Sequence, residues 1–142
     1  MASLARSRAS LRVMGDDLHP DDITTMLGAP PSFAHRCGEP IVGRATTRIA
    51  RFGMWLIDAD ETDPADPDGQ VAQLLRRVTS DLSVWRELGE RYEVDLFCGW
   101  FMECGNEGVS LSAATMRALG ERGIPIDIDL YRGGDDEDSD GA

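Results

Sequence analysis

The sequence predicts an α+β fold, a mostly antiparallel sheet with helices packed on one face, arranged as a ferredoxin-like core plus an appended helix and strand. Two segments with period-two alternation, 92–101 and 124–131, stand beside two segments of helical spacing, about 69–89 and 113–123. The weak central region, 29–51, lacks the crossover helix that a doubly wound parallel sheet needs.

The elements follow in order. A first strand is expected at Ser10–Met14, where Leu11 and Val13 alternate with Arg12 and Gly15 releases the chain. A short helix follows, with Pro20 at its first position, Asp21 and Asp22 matching the helix dipole, and Gly28 as C-terminal cap. His19 is a poor N-cap for it. Pro30 and Pro31 then break the chain, and Phe33–Cys37 and Ile41–Ile49 read as irregular or edge strands. Gly53–Asp58 is a compact apolar strand, and DADETDPADPDG after it is a loop.

Val71, Leu74, Leu75, Val78, Leu82, Trp85 and Leu88 define one core-facing stripe, which predicts a single helix from about Gly69 to Gly89. In Tyr92–Phe101, Val94, Leu96, Cys98 and Trp100 share one strand face, while Asp95, Phe97, Gly99 and Phe101 share the other. Ser112 caps a further helix that presents Met116 and Leu119 inward. The last strand sets Ile124, Ile126, Ile128 and Leu130 on one face, and Pro125, Asp127, Asp129 and Tyr131 on the other. One domain is expected over 10–132, flanked by a disordered arm at 1–9 and a disordered acidic tail at 133–142.

Composition limits function. The net charge is −12, and the five acids of the tail leave the rest of the chain acidic as well, so phosphate backbones are repelled and no nucleic-acid partner is expected. There is no lysine; all 14 basic residues are arginine, which removes Schiff-base and phosphate-loop lysines. No apolar run is long enough for a membrane span, the first ten residues lack a secretory apolar core, and three irregularly spaced cysteines make no disulfide framework. A cytoplasmic protein with no membrane partner is the expectation.

LRVMGDDLHPDDITTMLG, AHRCGEP, FGMWLI, VDLFCGWF, GNEGVSLS and IDIDLY together resemble a bacterial family known as domain of unknown function four-two-seven-nine, over about Ser10 to Tyr131. The resemblance implies a fold and a set of recurring residues, with no activity attached. It also implies a tryptophan where His35 stands and a lysine or similar residue at Cys37, so any work those family residues share is changed here.

Several constellations carry chemistry. His35 and Cys37 offer two zinc donors, but a closed site needs four, and only Cys98, Cys104 and His19 remain; neither a metal nor another cofactor is expected. Cysteine–histidine nucleophile pairs are equally thin, and no G-x-S-x-G turn is present, so no catalytic residue is assigned. Asp95, Asp127 and Asp129 are the sharper group: if their strand faces coincide, oxygens gather beside Phe97 and Phe101, against the plain alternative of a solvated strand face. The GNEG loop, with Asn106 and Ser110, offers glycines with positive backbone angles and amides near a helix start, where an anion can sit; as a simple connection it needs none.

The function expected is that of a non-catalytic interaction module. Its open sheet face, with Asp95, Phe97, Phe101, Asp127, Asp129 and Tyr131, meets a protein partner or a second copy of the chain. The alternative is a metal- or small-molecule-dependent enzyme using the aspartates and the glycine-rich loop.

Overall fold

The computed structural model describes residues 4–103 and 105–132. Five strands form the main sheet: β1 (Arg6–Gly15), β2 (Phe33–His35), β5 (Gly53–Asp58), β6 (Glu93–Phe101) and β7 (Ile126–Tyr131). A separate hairpin pairs β3 (Pro40–Val42) with β4 (Thr47–Ile49). The helices are α1 (Pro20–Leu27), α2 (Pro67–Arg77), α3 (Leu82–Arg91) and α4 (Ala113–Glu121).

The sheet order is β2-β5-β1-β6-β7. β5 runs antiparallel to both β1 and β2, and β6 antiparallel to β1, which gives the ferredoxin-like arrangement its four strands. β7 is appended parallel to β6 through α4, and parallel pairing requires such a crossover. The expected architecture therefore holds.

Cross-strand register sorts every sheet residue onto one of two faces. Leu11, Val13, Trp55, Ile57 and Leu96 lie on the inner face, fully or almost fully buried, in one core with Ile23 and Leu27 of α1, Val71 and Leu74 of α2, Trp85 and Leu88 of α3, and Leu119 of α4. Trp55, Trp85 and Trp100 are core residues. The helices thus cover one face.

Several expectations need correction. β1 begins at Arg6, so the arm expected at 1–9 contributes four residues of strand; the pattern was concealed because the inward residues there are the small Ser7 and Ala9. Ser7 is buried against Gln70: its Oγ donates to Oε1 at 2.8 Å, and Gln70 Nε2 donates to the Ser7 carbonyl at 2.8 Å.

The single helix expected at 69–89 is two. Val78 is extended, and Asp81 starts α3 by accepting from the Ser83 N–H at 2.9 Å, so Leu82 falls in the first turn and is exposed. α3 also runs past Gly89 to Arg91. In α4, Ser112 caps the helix as expected, but Met116 points to solvent because Thr115 and Leu119, four apart, make the buried stripe. The predicted acidic tail, 133–142, lies outside the described residues.

Candidate functional site

Among the described residues no helix covers the outer face of the sheet, and register places all six predicted residues of that face on it. Ser10 pairs with Phe97 and Phe97 with Asp127; Arg8 pairs with Gly99 and Gly99 with Asp129; Arg6 pairs with Phe101 and Phe101 with Tyr131. Arg12 pairs with Asp95. The arginines of β1 are the functional residues that sequence reasoning missed, and they change the character of the face.

Arg12 grips both oxygens of Asp95, Nε to Oδ1 at 2.8 Å and Nη2 to Oδ2 at 2.6 Å, with the aspartate 6 % exposed. Its guanidinium also lies 4.5 Å from the centre of the Phe97 ring. Arg6 approaches Phe101 at 5.3 Å and pairs with Glu61, and Phe101 stacks on Tyr131 at 4.5 Å with the rings 8° apart. Gly99 lies beneath these rings: a Cβ there would sit 3.6 Å from both Phe101 and Tyr131, in ordinary van der Waals contact. Phe97 and Phe101 are consequently half-buried beneath arginine and tyrosine rather than bare.

The aspartates divide. Burial alone raises the pKa of Asp95, but the Arg12 hydrogen bond, a hydrogen bond from Asp127 and the Arg12 charge outweigh it and hold the carboxylate below its ordinary range. Asp127 moves the other way, chiefly because it hydrogen-bonds to Asp95 and so favours its own proton. Asp129 accepts from the Tyr131 hydroxyl at 3.5 Å. Neither Asp127 nor Asp129 has a cationic partner within ion-pair distance among the described residues.

A folded-state pKa raised above the unfolded value stabilises at low pH, and that contribution is lost as pH rises through the folded value. Asp127→Asn supplies a permanent hydrogen-bond donor to Asp95 without a second negative charge. The variant is expected to melt at or above the wild-type temperature at neutral pH, with a shallower pH dependence in the acidic range, as measured by thermal unfolding across pH.

Among the described residues no three His, Cys, Asp or Glu side chains converge on a cation position. Cys37 is exposed and its thiol donates to the Arg51 carbonyl at 3.3 Å. Cys98 is buried and inert, its thiol pushed up to about 11 by burial and by the Asp95 charge. Cys104 lies outside the described residues.

The glycine-rich loop differs from expectation too. Its glycines do not use positive φ; Gly28, Gly38 and Gly123 do. The start of α4 is served by the protein itself, since the Ser112 N–H donates to the Asp68 carboxylate at 3.0 and 3.1 Å and the Thr115 N–H to Ser112 Oγ at 3.1 Å. An anion there would displace Asp68. Asn106 and Ser110 are exposed on this loop, beyond the C-terminal end of β6.

β7 ends the sheet. Leu96 N–H donates to the Pro125 carbonyl and Met102 N–H to the Tyr131 carbonyl, which sets the parallel ladder: the backbone groups of Asp127, Asp129 and Tyr131 face β6, and those of Ile128 and Leu130 face outward. Their side chains, expected on the core face, are 39 % and 65 % exposed because α4 reaches only the start of β7, near Ile124 and Ile126.

The family profile for the domain of unknown function DUF4279 matches residues 5–133. The chain belongs to this family. That span includes all five strands of the main sheet, from the Arg6 start of β1 to the Tyr131 end of β7. No curated protein and no solved structure matches the chain significantly. Among the described residues no helix is long and apolar enough to cross a membrane.

Proposed function

We propose that this protein is a cytoplasmic bacterial interaction module, non-catalytic, that takes up a basic, extended segment of another protein as an added strand on β7, at the margin of the open sheet face. The observation that carries this reading is the free edge itself. Ile128 and Leu130 direct N–H and C=O groups outward that no described residue pairs, an arrangement that accepts a further strand.

The side chains set the partner's chemistry. An added strand would lay alternate residues beside Asp127 and Asp129 on one face, and beside the exposed Ile128 and Leu130 on the other. Arginine or lysine alternating with apolar residues fits that register. In sequence, five more acids follow β7 after Arg132 and two glycines, Asp135, Asp136, Glu137, Asp138 and Asp140, which extends the attraction to a basic chain.

The same geometry disfavours a second copy of this chain paired about Ile128. Antiparallel pairing of two β7 strands centred on Ile128 sets Asp127 of one copy opposite Asp129 of the other, and like charges directly opposite are destabilising. Docking is favoured over catalysis because the Asp95 carboxylate is tied into the sheet, gripped at both oxygens by Arg12 and hydrogen-bonded by Asp127, which is a structural role.

A short peptide alternating arginine and valine is the direct probe, with its glutamate-for-arginine counterpart as control. The basic peptide is expected to bind in fluorescence anisotropy with an affinity that falls as salt rises, and Asp127→Asn combined with Asp129→Asn to weaken it about tenfold. Equal binding of the acidic peptide, or an unchanged affinity in the double variant, would refute the charge-matched edge.

A further inference from the structure

The opposite edge of the sheet holds a second feature, independent of β7. The β3–β4 hairpin, its base closed by the Gly38 N–H donating to the Ala50 carbonyl at 2.9 Å and the Ala50 N–H to the Glu39 carbonyl at 2.8 Å, lies beside β2 and β5 at the outer face. Between hairpin and sheet lies a pocket of about 530 Å³, a size typical of small-molecule sites. Its walls are apolar and aromatic: Phe33, Ile41, Ile49, Phe52 and Met54.

Two polar features stand out against those walls. His35 lines the pocket at 8 % exposure; Phe33 meets its ring edge-on at 5.4 Å and Phe52 at a tilt at 6.3 Å, and its Nδ1 is buried with no hydrogen-bond partner. Buried polar atoms are normally hydrogen-bonded, so an unbonded one on a pocket wall is a place where a bound group can supply the bond. Arg48 and Arg51 complete the lining. Neither makes an ion pair with a described residue, and the lining contains no Asp or Glu although the chain has 26 of them.

We infer that this pocket binds a small aromatic carboxylic acid. The ring packs among Phe33, Phe52 and the His35 imidazole, the carboxylate meets the Arg48 and Arg51 guanidiniums, and the buried imidazole gains its missing hydrogen bond. An acidic chain that keeps two uncompensated arginines on one apolar hollow selects an anion there and repels cations. Apolar walls with a few convergent polar groups give orientation as well as affinity.

Isothermal titration of the full chain with phenylacetate and naphthylacetate, each against its neutral amide, tests this. At least one acid is expected to bind saturably, with its amide and the Arg48→Gln/Arg51→Gln variant each about tenfold weaker. His35→Leu provides a second arm: it removes the unbonded nitrogen, so the ligand-free protein is expected to melt higher while acid binding is lost. Absence of saturable binding by both acids, equal binding of acid and amide, or affinity unchanged in the double arginine variant would overturn the assignment.

Discussion

Trp55→Ala is expected to cost about 3–5 kcal/mol, the range for deleting a fully buried aromatic side chain. Trp55 lies at the middle of the core face, beside Val13 and Ala34 on the neighbouring strands, with no solvent exposure. Its Nε1 donates to Thr24 Oγ1 at 3.0 Å and so ties β5 to α1. Domains of this size are stable by about 5–15 kcal/mol, so the variant is close to unfolding at room temperature. Urea denaturation reads the loss directly. Trp55→Phe keeps most of the volume and is expected to recover all but about 1–2 kcal/mol, the sum of a smaller ring and one lost hydrogen bond.

Arg12→Ala is the second large effect, and it acts through a charge instead of a cavity. The variant leaves Asp95, 6 % exposed, without its bidentate partner and uncovers the Phe97 ring. Orphaning a buried ion costs about 3–5 kcal/mol; here about 2–3 kcal/mol is expected, because a quarter of the Arg12 side chain is exposed and water reaches the site. The Asp95 pKa is depressed in the folded protein, so its contribution is present above the ordinary carboxylate value and disappears as pH falls through the folded one. The gap between wild type and Arg12→Ala, measured by urea denaturation, is therefore expected to be widest near neutral pH and to narrow in acid. Arg12→Met combined with Asp95→Leu removes both charges and is expected to regain most of the stability. A double variant as unstable as Arg12→Ala would show that the pair, rather than the orphaned charge, is what matters.

These two residues differ in how well the sequence announces them. Trp55 stands in GMWLID, a short apolar run bounded by glycine and aspartate, and the strand over Gly53–Asp58 follows from that alone. The alternation of IDIDLY likewise fixes which of its residues share a face. Arg12 was visible only as the polar member of a short strand. Its companions Arg6 and Arg8 alternate with Ser7 and Ala9, which are too small to display a buried period, so a strand looked like a basic arm.

Other misreadings share a physical cause. The apolar spacing from Val78 to Leu82 continues a helical period across a real break, and only Thr79, Ser80 and Asp81, a run of capping residues, marked it. Strand alternation assigns residues to faces but not to neighbours. That β7 lies beside β6 and at an edge, so that Ile128 and Leu130 escape the core, is a property of the α4 crossover and of its length. The acids of the candidate site were therefore legible, while the arginines that face them and the free edge beside them came from topology.

Amide hydrogen exchange along β7, read residue by residue by NMR, tests the free edge most directly. In the protein alone, the outward amides of Ile128 and Leu130 are expected to exchange fast, while those of Asp127, Asp129 and Tyr131, paired to β6, exchange slowly. On addition of the alternating arginine–valine peptide, Ile128 and Leu130 are expected to become protected and their neighbours to stay unchanged. Uniform protection of all five amides before any peptide is added, or no gain at Ile128 and Leu130 afterwards, would contradict strand addition at this edge.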